Sequence, residues 1–271
     1  MKKITLHLCL FFVILNAVFA IKPVKEYRIR PEALEIISNT HYCQTVDSFN
    51  IKVWHIPPVS NNIKNISIIV SNGDGGNMAN WLGVGNLLAY SGFNVWLYDY
   101  RGFGESSDFP IKQEMLYYEE FVKDLSAVVD FVKTSQPYHK VCLLGYSMGT
   151  LICMKYLIGY PENIDFCIAD GLIYSPEIIA ERLSKIYEED ILLPESDSQY
   201  FDWKIFYNNL QIPIMLFHGT EDIVCTEEDV SKLKEEVKNL TIIPYTGKHL
   251  MGFSVLRGDY IGNIETFLIK E

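Results

Sequence analysis

Ser147, Asp222 and His249 are the residues on which chemistry can be built in this chain. Ser147 stands at the centre of Gly145-Tyr146-Ser147-Met148-Gly149, directly after the apolar run Val141-Cys142-Leu143-Leu144. A Gly-x-Ser-x-Gly at the end of a buried strand describes a nucleophile elbow: the chain turns so sharply that small residues must flank the serine, whose Oγ is pushed out above the sheet. A serine hydroxyl keeps its proton at neutral pH. It becomes a nucleophile when a histidine within hydrogen-bond reach acts as general base and a carboxylate fixes the tautomer of that histidine and stabilises the imidazolium. Behind an elbow the chain order is serine, acid, histidine, and Asp222 followed by His249 supplies it. His218 competes as base, but it directly precedes Gly219 and is better suited to holding a turn; Asp170 and Glu221 compete as acid. The five-residue pattern alone arises by chance in roughly several per cent of such chains, so its context has to carry the argument.

That context is a series of apolar runs alternating with helix-period segments. Strands are expected at 49–56, 66–71, 94–98, 140–144, 166–173, 213–217 and 240–244. Several are continuous and β-branched, the pattern of a parallel sheet covered on both faces. Phe121, Leu125, Val128 and Val132 repeat at helical spacing, and Pro137 ends that segment. The alternation predicts an α/β fold, a mostly parallel, doubly wound open sheet with helices on both faces. In such sheets ligands bind beyond the carboxyl ends of the strands. Each candidate residue falls in the loop after an apolar run.

Acyl transfer also needs two N–H donors where charge grows on the carbonyl oxygen, each worth about 3 kcal/mol. The amide of Met148, opening the helix after the elbow, is the first candidate. The second is the amide of Asp74 in the glycine-rich loop Asn72-Gly73-Asp74-Gly75-Gly76-Asn77. That loop has neither a Gly-x-Gly-x-x-Gly pattern nor a Gly-Lys-Ser/Thr ending, so a phosphate cofactor is disfavoured. No Cys-x-x-Cys or His-rich cluster points to a metal, and the expectation is chemistry without metal or cofactor.

From about Asn72 to His249 the chain resembles an α/β-hydrolase-fold serine hydrolase, of the small single-domain esterase and acyl-thioesterase kind. Asp99-Tyr100-Arg101-Gly102-Phe103-Gly104-Glu105-Ser106 is similar to that family's loop after the fourth strand, which implies a structural Arg101. Gly73-Asp74-Gly75-Gly76-Asn77 is similar to its His-Gly-Asn-Ala-Gly-Asn loop, with Asn72 in place of the histidine and Asp74 in place of an asparagine. The resemblance implies a Ser147–Asp222–His249 triad, an acyl-enzyme, and a cap inserted after the 166–173 strand, here residues 174–212. Ile179, Leu183 and Ile186 share one helical face there, read more simply as packing than as a lipid funnel. The cap's acidic residues read as a solvated face. Tyr200, Phe201, Trp203 and Phe206 are candidates either for an acyl pocket or for seating the cap.

The first 20 residues read as a secretory leader: Lys2 and Lys3, an apolar stretch from Ile4 to Val18, and a small residue at Ala20, with cleavage expected after it. An uncleaved anchor is the alternative. The remaining 21–271 suit one domain that is secreted or periplasmic and keeps no membrane span. Losing the two lysines takes the formal charge from −11 to −13, which disfavours nucleic acid as a partner. Cys43, Cys142, Cys153, Cys167 and Cys225 remain, an odd number; most lie in apolar runs, where a small buried hydrophobe is the expected role. Oligomeric state stays open. The sequence thus points to a small-molecule acyl ester or thioester substrate, with a peptidase for short peptides, or a non-catalytic binding protein on the same fold, as the alternatives.

Overall fold

The computed structural model describes residues 20–59, 61–195 and 201–270. The leader up to residue 19 and the pocket candidate Tyr200 lie outside them. In chain order the strands and helices are β1 (Lys22–Pro23), β2 (Asn39–Gln44), β3 (Asn50–Ile56), β4 (Ile66–Ser71), β5 (Gly75–Gly76), α1 (Leu82–Tyr90), β6 (Asn94–Tyr98), α2 (Glu120–Ser135), β7 (Lys140–Tyr146), α3 (Met148–Gly159), β8 (Phe166–Asp170), α4 (Pro176–Tyr187), α5 (Trp203–Asn209), β9 (Ile214–Gly219), α6 (Glu227–Glu236), β10 (Leu240–Tyr245), α7 (Gly252–Leu256) and α8 (Gly258–Lys270). Among the described residues eight strands form one sheet in the order β10-β9-β8-β7-β4-β6-β3-β2. The strands from β10 to β6 run parallel, while β3 pairs antiparallel with β6 and with the edge strand β2.

Every residue of β4, β6, β8 and β9 is buried, because helices cover both faces. Successive side chains leave a strand on opposite faces, and β7 shows it: Leu143 joins the core packed under α2 and α3, while Cys142 and Leu144 join the core under α1 and α8. The helical stripe Phe121, Leu125, Val128, Val132 is fully buried. The starts of α4 and α6 are set by side-chain caps: Ser175 accepts from the Ile178 amide before Pro176 opens α4, and Thr226 forms a capping box with Asp229 at α6. The loop after β6 is fastened by Arg101, which is fully buried, donates from Nε to Asp124 Oδ1 at 2.8 Å and reaches Asp47 at 2.9 Å. A buried cation held by two carboxylates is a fastening role.

The seven expected strands are all present, as β3, β4, β6, β7, β8, β9 and β10; β9 runs on to Gly219, and the two-residue β1 and β5 are additional. β7 runs on through Gly145 and Tyr146, which pair with Ser71 and Asp170. β8 stops at Asp170, three residues early, because Gly171 turns to φ 68°. The edge strand β2 was not foreseen, since only Cys43 of its six residues is buried.

Glycine carries the elbow. A β-carbon at Gly149 would lie 2.2 Å from the Ser71 carbonyl oxygen, which is backbone and cannot move aside. Gly149→Ala is therefore expected to destabilise the fold by about 3 kcal/mol. Gly83→Ala, at an exposed position of α1 with nothing within 4 Å, should instead stabilise it by up to about 1 kcal/mol. Denaturant melts of the two variants check the pair, and equal effects would contradict it.

Candidate active site

Ser147 follows β7 with φ 48° and ψ −117°, a conformation a residue with a β-carbon adopts only under strain. Its surroundings hold it there. The Ser147 amide donates to the Asp170 carbonyl at 3.0 Å, and its own carbonyl accepts from the Thr150 amide at 2.8 Å and the Thr150 hydroxyl at 2.7 Å. A β-carbon on Gly145 would sit 2.8 Å from the Thr150 amide nitrogen. Both flanking glycines are thus demanded by backbone approach, as the pattern implied.

Asp222 and His249 come from the loops after β9 and β10, which are stapled together: the Glu221 amide donates to the Gly247 carbonyl and the Thr220 amide to the Tyr245 carbonyl, both at 2.9 Å. Asp222 Oδ1 accepts from the amides of Val224 and Cys225 at 2.8 and 3.0 Å, which leaves Oδ2 for His249 Nδ1 at 2.7 Å. His249 Nε2 lies 2.9 Å from Ser147 Oγ. The structure therefore brings Ser147, His249 and Asp222 into one hydrogen-bonded chain. Asp222 has no exposed side-chain surface and His249 keeps about a fifth of its own, 20 %. A proton can pass from Oγ to Nε2 while a buried carboxylate faces the other side of the ring.

The rivals are placed elsewhere. His218 Nε2 pairs with Glu227 at 3.0 Å, and Glu221 is exposed. Asp170 lies close to the triad but does not join it. Its Oδ2 accepts from Tyr260 Oη at 3.1 Å, its Oδ1 is buried without a partner, and burial pushes its carboxyl up to about 7. The glycine after it, Gly171, is what lets His249 in: a β-carbon there would fall 2.4 Å from His249 Cε1.

Met148 is the first residue of α3, where an amide has no intrahelical acceptor. The Asp74 loop lies across from it. Asn72, where the resembled loop has histidine, is buried and donates from Nδ2 to the Tyr98 carbonyl at 2.7 Å, and its carbonyl accepts from Tyr100 Oη at 3.2 Å. Burial raises the Asp74 carboxyl above its usual range; its own backbone amide and the nearby His249 act against that rise. The amide expected to receive an oxyanion thus faces its own side chain.

Ser147, Met148, Asp74 and His249 open into a cavity of about 150 Å³. Ala20, Leu116, Ile173, Ile179, Leu183 and Val224 form its apolar wall. Ile179 and Leu183, read from sequence as packing, therefore line the cavity, whereas Ile186 is 42 % exposed. Phe201 and Phe206 line a separate cavity of about 630 Å³ against Leu157 and Ile158. Trp203 is buried in the core and seats the cap. Sequence reasoning missed Ala20, Leu116, Ile173 and Val224. Their spacing carries no signal, because four different segments supply them. Among the described residues no group of three or more His, Cys, Asp or Glu could hold a metal ion, and no helix is long and apolar enough to cross a membrane.

With its parallel sheet, elbow and strand-end loops, the chain belongs to the α/β-hydrolase family. Residues 64–182 match the family model described as serine aminopeptidase, S33. The uncharacterized protein YfhR of Escherichia coli K12 is 30 % identical over 223 residues, 79 % of this chain and 74 % of that one. The probable lysophospholipase L2 of Haemophilus influenzae is 26 % identical over 136 residues, 50 % of this chain and 43 % of that one. Among solved structures, the esterase Pf2001 of Pyrococcus furiosus superposes with a TM-score of 0.73 at 20 % identity, over 92 % of this chain and 97 % of that one, a likeness of fold.

The Asp170 carboxyl gives a pH signature. Held up to about 7, it keeps in the folded state a proton that the unfolded chain gives up near pH 4. Stability from this group is therefore lost as pH rises through the window from about 4 to 7, by up to about 4 kcal/mol. Asp170→Asn, which cannot ionise, should melt increasingly above the wild type between pH 5 and pH 8. Parallel melting curves across that range would contradict the buried, protonated carboxyl.

Proposed function

We propose that the protein is a serine hydrolase of carboxylic esters or thioesters, acting on small-molecule acyl substrates through an acyl-enzyme. The observation that carries the reading is the unbroken path from Ser147 Oγ through His249, 2.9 and 2.7 Å, to an Asp222 carboxylate already held by two amides. Ser147 Oγ attacks the carbonyl carbon as His249 Nε2 takes its proton. The tetrahedral oxyanion is met by the amides of Met148 and Asp74. His249 then returns the proton to the departing alkoxide or thiolate, the C–O or C–S bond breaks, and Ser147 is left acylated. Water, deprotonated by His249, attacks the acyl-enzyme and releases the carboxylic acid, restoring Ser147. Asp222 fixes the ring with Nδ1 protonated and stabilises the imidazolium. The similarity to an esterase fold and to a probable lysophospholipase is in keeping with ester hydrolysis. The leader of residues 1–20 supports export to the periplasm or medium. The description of the matching family model supports a second reading, an aminopeptidase for short peptides.

A fluorophosphonate probe should label the wild type and leave Ser147→Ala unlabelled; an unlabelled wild type would sink the hydrolase reading in favour of a binding protein. His249→Ala should lower kcat by about 10⁴-fold or more with the fold intact. Aryl esters of short acids should turn over faster than aminoacyl amides, and the reverse preference would establish the peptidase. Asp74→Ala keeps the amide but removes a negative side chain from beside the developing oxyanion. It should hold or raise kcat/KM at pH 7, and a hundredfold fall would assign the carboxyl itself a catalytic role.

A further inference from the structure

The last residue of the leader and the segment that follows it lie against the site. Ala20 is 8 % exposed and Ile21 fully buried. Ala20 faces the cavity that holds Ser147 and His249, and Ile21 enters the same core as Met148 and Leu116. The backbone is tied on both sides. The amides of Ala20 and Ile21 donate to the Gln113 carbonyl at 2.8 and 3.1 Å, and those of Lys22 and Val24 to the carbonyls of Asp74 and Gly76 at 2.8 and 2.9 Å. β1 thereby pairs in parallel with β5 inside the Asp74 loop, Lys22 beside Gly75 and Pro23 beside Gly76. Pro23, which has no amide hydrogen, falls at the one position of this ladder that needs no donor. From the other side, Asn77 Nδ2 donates to the carbonyls of Val24 and Glu26 at 3.0 and 2.9 Å. Three residues past Gln113, the Leu116 amide donates to Leu192 of the cap at 2.8 Å. One strand of extended chain thus holds the loop that offers the Asp74 amide and contributes to the wall of the cavity.

We propose that residues 20–24 are a working part of the active site, in which Ala20 is a specificity-determining residue that limits acyl length and the backbone that follows it holds the Asp74 loop in position. This rests on the ester-hydrolase reading above. Pocket size sets the expected range. An apolar cavity of about 150 Å³ admits a benzene-sized group, so the wild type accepts acyl tails of roughly six heavy atoms or fewer. Ala20 is part of the wall of this space. Leucine there adds three carbons to the cavity and shortens the accepted tail; glycine removes one and lengthens it. A chain that begins at Ile21, the product of cleavage after Ala20, lacks this part of the wall, so this limit on acyl length belongs to the enzyme that keeps Ala20.

The test measures kcat/KM of the full chain on aryl acetate, butyrate, hexanoate and octanoate. Ala20→Leu should lower the hexanoate-to-acetate ratio at least tenfold, and Ala20→Gly should raise the octanoate-to-acetate ratio at least threefold. A purely structural strap would scale all four esters together, so unchanged ratios in both variants overturn the proposal. If Ala20→Leu does not fold, Ala20→Gly decides alone. A chain starting at Ile21 should behave as Ala20→Gly does or favour still longer tails; a profile like that of the full chain overturns the proposal. Turnover with unchanged ratios separates this failure from failure of the hydrolase reading, in which the wild type turns over no ester and takes no fluorophosphonate, and both fall.

Discussion

At Ser147 a residue with a β-carbon is held at φ 48° and ψ −117°, and much of the site is arranged around keeping it there. Strain of this kind costs on the order of 1–3 kcal/mol and persists only where neighbours over-determine it. Here the amide is held by Asp170 and the carbonyl twice by Thr150. The same turn lets Gly149 pass against the Ser71 carbonyl, which brings the start of α3 beside the loop after β4. The oxyanion candidates are neighbours because of that contact. Thr150 also accepts from the Ile173 amide at 2.9 Å, so the threonine that fixes the elbow also fixes a wall of the cavity.

Charge around the triad is sorted by solvation. Asp222 is buried yet accepts two backbone amides as well as His249, so its negative charge is supported by fixed dipoles. Asp170 is buried near it with one oxygen unpartnered, and burial pushes its carboxyl up to about 7. Two acids thus stand near one histidine in different surroundings, and only Asp222 has backbone amides on the oxygen that the histidine leaves free.

Sequence carried the architecture well where one element decides the matter. The buried strands were readable because covered β-strands are continuous apolar runs, and the elbow because two backbone approaches leave only glycine acceptable at 145 and 149. It failed where the deciding partner is remote. Leu172 and Ile173 look like more strand, but Gly171 has to turn for the His249 ring. Asn39-Thr40-His41-Tyr42-Cys43-Gln44 hides an edge strand, because one covered side leaves too few apolar residues to mark it. Ala20 reads as the exit of a leader, and nothing local reveals that it lines the cavity into which Ser147 opens. The apolar side chains around the serine come from segments far apart in the chain, so the cavity exists only after folding. Of the site, Ser147, Asp222 and His249 are brought together as the order of types implied, whereas the acid chosen over Asp170 rests on which loop reaches the ring.

Among the described residues the cysteines at 43, 142, 153, 167 and 225 are all free and all buried. They sit at different depths of the architecture: Cys142 and Cys167 in adjacent central strands, Cys153 in the helix behind the elbow, and Cys225 in the loop that clasps Asp222. Among the described residues no disulfide ties one part of this scaffold to another. Each thiol is instead a silent internal clock. A reagent in solution meets it only when the segment above it opens, so the order in which the five react would trace how the molecule comes apart.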